Sequence, residues 1–214
     1  MKKLGLTLVM AMMAVMLVAG GAWALPILTI TDGSDTVTVN DTDSDGIVGF
    51  FGSVGNWDVT VSLASSYPAI GQPGFPAMHL TGSTTSLYGT GFLNFSVTDT
   101  FTSWDSSLEG LVSAWGGYAA GNVEFYTYLN GDELAYFGPS SGAFSESLSS
   151  LVLPSNPDNY TLTLEGIITH TSIGQSSSFD GGVAPVPEPG TMALLGIGLL
   201  GLAFVGRKKL KIEE

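Results

Sequence analysis

Between residues 25 and 184, apolar side chains recur at every second position in short runs, and Gly, Ser, Asp, Asn and Pro fill the joints. The alternation is clearest in the runs 57–63, 93–97, 123–129 and 160–164. A period of two is that of a β-strand with one buried and one solvated face. No stretch of this segment shows three turns of helical periodicity. We therefore predict an all-β domain, an antiparallel β-sandwich of which the jelly roll is one version.

Two glycines mark features within this pattern. Asp32-Gly33 lies between two alternating runs and predicts a hairpin turn. Gly166 follows the alternating run that begins at Tyr160 and predicts a β-bulge. The order of the strands in the sheet does not follow from these patterns.

The charge distribution limits what the domain can bind. All six basic residues lie outside 25–184. Three of the nineteen acidic residues, Glu188, Glu213 and Glu214, lie beyond the segment, so sixteen carboxylates fall within it. Because phosphate binding depends on cationic side chains, nucleic acid and anionic lipid headgroups are poor partners, whereas cations, neutral sugars and basic surfaces remain. The absence of cysteine excludes disulfides, thiol catalysis and cysteinyl zinc sites.

An acidic loop suggests a calcium site. Asp41, Asp43, Asp45 and Gly46 occupy the first, third, fifth and sixth positions of a calcium loop. The twelfth position is Gly52 instead of a bidentate Glu, which excludes a complete EF-hand. A partial loop completed by a distant carboxylate stays open, and so does a plain polar turn. The distant candidates are Asp32, Asp35 and Asp58.

The sequence motifs of a hydrolase are less complete than the calcium-loop pattern. Gly138-Pro139-Ser140-Ser141-Gly142 has the form of a nucleophile elbow, and Asp158 and His170 follow Ser140 in hydrolase order. The elbow requires a helix after the serine, and the residues that follow alternate like a strand instead. The histidines, His79 and His170, have no helical ligand spacing, and no local motif nominates a pair of glycosidase carboxylates. We expect a non-catalytic protein, with a hydrolase as the less favoured alternative.

Aromatic residues offer a binding surface. Tyr126 and Tyr128 alternate with Phe125 and therefore point to the opposite face of their strand. Exposed rings can stack on sugars, although a sandwich also buries aromatic rings in its core. Further aromatic candidates beside Gly-rich or polar stretches are Trp104, Trp115, Tyr118 and Tyr136.

The N-terminus predicts a secretory signal peptide at 1–24. Two lysines precede an apolar run, and Ala22 and Ala24 supply the small residues that signal peptidase recognises. We expect cleavage after Ala24, so that Leu25 begins the exported chain. The alternative is an uncleaved N-terminal anchor.

The C-terminus has three parts in a fixed order. They are Pro187, Glu188 and Pro189, then the apolar residues 191–206, then a basic cluster with Arg207, Lys208 and Lys209. As a helix the apolar run would be about 24 Å long, slightly short of a full hydrocarbon core. The cations after it favour a cytoplasmic end, and the two prolines favour an extended segment before it.

This tail resembles the sorting signal of PEP-CTERM proteins, which Gram-negative, polysaccharide-producing bacteria export. The resemblance implies a transient membrane anchor facing the periplasm, which an exosortase removes before the protein reaches the cell surface or extracellular matrix. An ordinary anchor that is never cut is the alternative. The expected parts are a signal peptide (1–24), an exported β-sandwich domain (25–184), a Pro-Glu-Pro linker and sorting motif (185–190), a transmembrane helix (191–206) and a cytoplasmic basic tail (207–214).

The resemblance predicts an export route for the protein but no biochemical activity. From it and from the residues we expect an exported surface or matrix protein associated with exopolysaccharide or the cell envelope. The alternative is a calcium-assisted carbohydrate-binding module.

Overall fold

Ten β-strands make up the exported domain. The computed structural model describes residues 25–186 and Ile197, and it forms strands without a helix throughout 25–186, which confirms the predicted all-β class. The strands are β1 (Ile27–Thr31), β2 (Thr36–Asn40), β3 (Ile47–Val54), β4 (Trp57–Ser65), β5 (Met78–Ser86), β6 (Gly91–Phe101), β7 (Gly110–Leu129), β8 (Asp132–Leu151), β9 (Tyr160–His170) and β10 (Ser176–Pro185).

The predicted terminal segments fall outside this domain. The signal peptide at 1–24 and the basic tail at 207–214 lie outside the described residues, as does the membrane helix at 191–206 apart from Ile197. Within the described part of the chain, no helix has the length and apolarity needed to cross a membrane.

The strands form one connected antiparallel sheet in the order β2-β1-β6-β9-β7-β10-β5-β4-β3, with β8 added beside β7. β7 joins the two halves of this path. Its first part pairs with β10 and its second part with β9, while β8 follows the opposite edge of β7 along both parts. The β7–β8 ladder shifts register between Ala119 and Val123, where the pairing of β7 passes from β10 to β9.

Ring contacts show that β7 bends and that two layers face each other. Trp115 and Phe125 stack with centroids 4.2 Å apart, although ten residues of straight strand would separate them by about 33 Å. Phe95 of β6 stacks on Phe179 of β10 at 4.1 Å, although these strands are not sheet neighbours. The aromatic core therefore lies between two layers, which makes the fold a β-sandwich.

Glycines on the inner faces make room for these rings. Gly166 pairs with Phe95 on one side and Phe125 on the other in ladders without a register shift. The predicted bulge at Gly166 is therefore wrong. A Cβ at this position would overlap the Phe95 ring, and a Cβ on Gly181 would likewise overlap Trp115. Position 166 is glycine because the rings of Phe95 and Phe125 on the two adjacent strands occupy the space of a side chain, and the strand continues through it without a bulge.

The predicted hairpin after β1 is confirmed. β1 pairs with β2 from Ile27 opposite Asn40 to Thr31 opposite Thr36, and the turn contains Gly33 at a φ of 91°. Oδ1 of Asp32 accepts hydrogen bonds from the backbone N–H groups of the turn, which holds it closed.

Candidate functional site

The predicted calcium loop connects β2 to β3 and is built around Asp41. This side chain is 5% exposed. Its Oδ1 accepts a hydrogen bond from the backbone N–H of Ser44 at 2.7 Å, and its Oδ2 accepts one from Gly46 at 2.8 Å. Ser44 and Gly46 adopt φ values of 62° and 79°, which close the loop tightly around the carboxylate. The loop backbone therefore fixes Asp41 in place.

The three predicted ligands do come together. One carboxylate oxygen from each of Asp41, Asp43 and Asp45 lies within 4.8 Å of the others. Contact with the Asp41 carboxyl and the charge of Asp45 raise the pKa of Asp43. Burial acts to raise the pKa of Asp41, but hydrogen bonds from Gly46 and Ser44 outweigh it, so that this pKa is lowered. Oxygen donors in this arrangement suit a hard cation such as calcium.

The distant carboxylates proposed from sequence are not part of this group of three. Asp32 is occupied by the β1–β2 turn, where its Oδ1 accepts N–H hydrogen bonds from Ser34 and Asp35. Asp58 lies on β4 opposite Ser53 and Thr85. These aspartates hold their own turns and strand surfaces instead of completing the loop.

The charge of Asp41 acts on a further carboxylate, Asp99 on β6, which the sequence analysis missed. Asp99 is 2% exposed; its Oδ1 accepts a hydrogen bond from the N–H of Thr100 at 2.6 Å, and its Oδ2 has no partner within hydrogen-bond distance among the described residues. Burial raises the pKa of Asp99 to about 6; the Ser66 hydroxyl and the N–H groups of Thr100 and Leu25 act against this, and the charge of Asp41 adds to it. The signal was in the sequence: Asp99 falls in the inward phase of the run that contains Val97. We call the group Asp41, Asp43, Asp45, Ser66 and Asp99 the acidic end of the sandwich.

A second polar region lies on the outer face of β7 and β8. Tyr126 and Tyr128 point outward from β7, as predicted, and Tyr136 lies directly across from Tyr126 on β8. The Tyr126 ring stacks on Tyr128 with centroids 5.9 Å apart and contacts Tyr136 at 4.9 Å. We call these three residues the tyrosine face.

Carboxylates surround the tyrosine face and accept hydrogen bonds from neutral donors. The Tyr126 hydroxyl donates to Oε2 of Glu124 at 2.8 Å, and this contact, with burial and the charge of Glu124, raises the pKa of Tyr126. Burial, followed by the charges of Glu165 and Glu133, raises the pKa of Tyr128. The phenols therefore remain protonated donors beside carboxylate acceptors.

The polar side chains of this outer face continue from β7 onto the strands β9 and β6. Glu165 on β9 lies across from Tyr126 and accepts a hydrogen bond from the Asn94 amide of β6. Thr163 lies across from Tyr128, and its hydroxyl is 2.8 Å from that of Thr98 on β6. The tyrosine face is therefore one end of a polar surface that spans four strands.

The other predicted aromatic residues have different environments. Trp115 is a core residue, 2% exposed and stacked on Phe125. Trp104 packs edge-on against Tyr160 with centroids 5.4 Å apart. Tyr118 is exposed on β7.

The residues of the hydrolase motif have separate partners. The Ser140 hydroxyl donates to Oε1 of Glu146 at 3.3 Å, within a strand that runs on to Leu151 without a helix. His170 is 1% exposed, stacks on Trp57, and its Nε2 lies 2.8 Å from the hydroxyl of Ser177. His79 is instead partly exposed, and its Nε2 lies 3.3 Å from Oδ1 of Asp180. Ser140 lies within a strand and not in a nucleophile elbow, as the alternating residues after it predicted.

The end of β10 leads directly into the sorting tail. A sequence profile described as the PEP-CTERM protein-sorting motif matches residues 185–209, which begin at the last residue of β10. The chain therefore carries a PEP-CTERM sorting motif, the type of signal on which exosortase acts. The matched segment carries no information about what the sandwich of this PEP-CTERM protein binds.

The predicted processing residues of the PEP-CTERM protein lie outside the described part of the chain. They are Ala22 and Ala24 at the signal peptidase site, Pro187, Glu188 and Pro189 in the sorting motif, and Arg207, Lys208 and Lys209 in the basic cluster.

Solved structures with some similarity to this PEP-CTERM protein include three carbohydrate-related domains. The CBM36-1 domain of a multidomain xylanase from the hindgut metagenome of Trinervitermes trinervoides is 13% identical over 62% of this chain and 99% of that one, with a TM-score of 0.31. The PA14 sugar-binding domain from an RTX adhesin is 8% identical over 77% and 91%, with a TM-score of 0.39. TmCBM61, solved in complex with β-1,4-galactotriose, is 10% identical over 64% and 92%, with a TM-score of 0.32. Similarities this low assign no ligand to this chain. No curated protein matches it.

Proposed function

We propose that the exported domain of this PEP-CTERM protein is a non-catalytic module that binds neutral carbohydrate on the tyrosine face. Binding would hold the protein in the extracellular polysaccharide or on the cell envelope. The observation that carries the proposal is the set of three tyrosine rings in mutual contact on an outer sheet face, with carboxylates beside them.

The chemistry of the surface suits a sugar. Sugars present apolar C–H faces and hydroxyl rims, which match flat rings that are bordered by hydrogen-bonding groups. Around the rings, Glu124 and Glu165 can accept hydroxyl protons, and the Tyr136 phenol can donate. These groups lie on adjacent strands of a sheet, so little conformational freedom is lost when a chain binds across them.

The charge of the domain selects against acidic polysaccharides. No Lys or Arg occurs anywhere in 25–186, and the tyrosine face itself borders three glutamates. An anionic polymer would meet like charge without a compensating cation. Neutral glycans are therefore the favoured class.

A binding experiment tests the proposal. The full chain, purified in detergent, is run through native gels that contain neutral polysaccharides, and its retardation gives the affinity. Tyr126→Ala and Tyr136→Ala should each weaken binding by about 30-fold, the cost of about 2 kcal/mol for losing a central aromatic contact. Tyr88→Ala is the matched control, since Tyr88 is 75% exposed and lies outside the tyrosine face. Equal loss in all three variants, or no retardation by any neutral polysaccharide, contradicts the proposal.

A separate assay tests the proposal that the domain is non-catalytic. The same polysaccharides are incubated with the protein, and new reducing ends are counted. Release of reducing ends that depends on Ser140, or on a glutamate beside the tyrosine face, would identify a hydrolase instead.

The export route is part of the same proposal. We infer that signal peptidase cuts after Ala24 and that exosortase removes the segment behind Pro187-Glu188-Pro189. Intact-mass analysis of the released protein should show a start at Leu25 and loss of residues 191–206. Replacing the three motif residues by Ala should leave the protein in the inner membrane. A released form that keeps the apolar run contradicts exosortase processing.

A further inference from the structure

The chain enters the sandwich beside Asp99. β1 pairs with β6 without a register shift, and its first residue, Ile27, lies opposite the residue that precedes Asp99. Because the two strands are antiparallel, Leu25 and Pro26 run alongside Asp99 and the residue after it. On the other side, the carbonyl of Pro26 accepts a hydrogen bond from the N–H of Asp41 at 3.2 Å. Two neighbouring segments therefore determine where the backbone nitrogen of Leu25 lies.

The proline makes this entry segment stiff. Pro26 is buried, and its ring fixes its φ angle. A residue that precedes proline is restricted to extended conformations, so Leu25 has few backbone states to lose. The position of the Leu25 nitrogen is therefore set by the backbone, before any charge acts on it.

Asp99 presents a buried acceptor at this place. The side chain is 2% exposed, its Oδ1 accepts the N–H of Thr100, and its Oδ2 has no partner within hydrogen-bond distance among the described residues. Burial raises the pKa of this carboxyl, and the N–H of Leu25 is close enough to act against that increase. A buried carboxylate is costly unless a proton or a cation neutralises it.

The side chains of the exported segment supply almost no cation. No Lys or Arg occurs in 25–186. The two histidines have other neighbours, since Nε2 of His79 lies 3.3 Å from Oδ1 of Asp180 and Nε2 of His170 lies 2.8 Å from the Ser177 hydroxyl. A cation for Asp99 must therefore come from somewhere other than a side chain of this segment.

Cleavage of the signal peptide creates such a cation. Hydrolysis of the Ala24–Leu25 peptide bond consumes one water and leaves a carboxylate on Ala24 and an ammonium on Leu25. An α-amino group has an ordinary pKa of about 7.7–8.0 and is therefore mostly charged at pH 7. The atom that carries this charge is the same Leu25 nitrogen that lies alongside Asp99.

We propose that Asp99 is the binding site for the new amino terminus of the exported chain, where the α-ammonium of Leu25 pairs with its carboxylate. This inference rests on cleavage after Ala24, which belongs to the proposed export route. The uncleaved chain has only a neutral amide at the same place, so removal of the signal peptide stabilises the folded domain. The site lies on the inner face of β6, whereas the tyrosine face is on the outer face of β7 and β8, so carbohydrate binding does not depend on it.

Amine labelling tests the ion pair. The exported chain is treated with a small acylating reagent at pH 7, and mass spectrometry of its N-terminal peptide gives the labelling rate. Since 25–186 contains no lysine, an amide-forming label in this segment falls on the α-amino group. Asp99→Asn should be labelled about tenfold faster than the wild type, as expected when the pair raises the pKa of the amine by about one unit. Asp58→Asn, at an exposed carboxylate of β4, is the matched control and should keep the wild-type rate.

Thermal unfolding tests the effect on stability. Ala22→Phe with Ala24→Phe removes the small residues that signal peptidase needs and yields the uncleaved chain. In the same detergent, the processed chain should have a Tm roughly 4–8 °C above that of the uncleaved chain. In an Asp99→Asn background this difference should disappear. Comparison of the two backgrounds cancels any effect that the signal peptide or the tail has by itself.

The outcomes separate this inference from the export route. An exported chain that starts elsewhere than at Leu25 contradicts cleavage after Ala24 and overturns the inference with it. A chain that starts at Leu25 but is labelled as fast as Asp99→Asn overturns the ion pair alone. A Gly inserted before Leu25 keeps both charges and moves the ammonium by about 3.3 Å, so it should also be labelled faster than the wild type. This variant retains Asp99 and tests the pair even if Asp99→Asn fails to fold; a wild-type rate in it overturns the proposal.

Discussion

Carboxylates border the tyrosine face and form the acidic end, but their negative charge is accommodated differently in the two regions. On the tyrosine face, Glu124 and Glu165 are half-buried and accept hydrogen bonds from a phenol and an amide. At the acidic end, Asp99 is 2% exposed and has an oxygen without a partner. Adjacent residues of β6 show the cause, because Thr98 points outward and Asp99 inward. A carboxylate that keeps contact with water and neutral donors is tolerated. One that lies a single position further along the strand points inward, and it needs a counter-ion or a proton.

The largest test of this contrast uses neighbours on β7 that point to opposite faces. Phe125 is 1% exposed and stacks on Trp115, so Phe125→Ala should lower the free energy of unfolding by about 3–5 kcal/mol. Tyr126→Ala should cost only about 1 kcal/mol, because the ring is partly solvated. Urea unfolding measures both. Equal costs would mean that the tyrosine face is a second core surface.

A smaller effect is expected where the inner face has no room. Gly166→Ala places a Cβ against the rings of Phe95 and Phe125 and should cost about 1–3 kcal/mol through overpacking. Gly116→Ala is the matched control, since the nearest atom to its Cβ would be the Phe144 carbonyl oxygen at 3.5 Å, an ordinary contact. Should the two variants unfold at the same urea concentration, the rings do not depend on Gly166.

The third effect is a loss of stability at acidic pH, and it concerns the buried side chain of His170. Burial lowers the pKa of His170 below its usual value. The unfolded chain then takes up a proton that the folded chain refuses, so stability is complete above about pH 6.5 and falls as the pH drops below it. His170→Gln should remove the part of this loss that occurs between about pH 6.5 and 5. His79→Gln, at a partly exposed position, serves as the control.

Melting curves at these two pH values measure the effect. A decline in His170→Gln as steep as in the wild type would show that the loss does not come from His170.

The smallest effect is expected for a hydrogen bond on the outer face. Tyr126→Phe removes the donor to Glu124 and should change the free energy of unfolding by about 1 kcal/mol or less, because water can replace the phenol. Urea unfolding again gives the value. A loss comparable to that of Phe125→Ala would contradict the solvated character of the tyrosine face.

The sequence predicts those parts of the structure that depend on local alternation. The run through Leu93, Phe95 and Val97 gives the strand and its inward phase, and the same rule places Tyr126 and Tyr128 outward. The two layers follow from the predicted sandwich, but the bend of β7 between them could not be predicted, because the stretch of β7 around Ala119 has no clear alternation. The bend of β7 is seen only in its pairing, where the β7–β8 ladder shifts register between Ala119 and Val123.

The candidate sites show the same limit. The sequence brings Asp41, Asp43 and Asp45 together, since they lie on one loop. Asp99 lies more than fifty residues away, and only the sheet register shows that it and Asp41 follow the strands on the two sides of β1. Gly166 was predicted as a bulge because a glycine that makes room for rings on two neighbouring strands has no local signature.

The position of β10 determines how the domain carries load. β10 ends at Pro185, where the sorting motif begins, and it is hydrogen-bonded to β5 on one side and to β7 on the other. In a chain anchored by its tail, as the proposed export route requires, a pull on the domain would act along β10. The ladder hydrogen bonds are perpendicular to the strand, so this pull loads both ladders in shear, and many bonds must break together. A strand at the edge of the sheet would resist through one ladder alone. The attachment point is therefore a mechanically strong part of the sandwich.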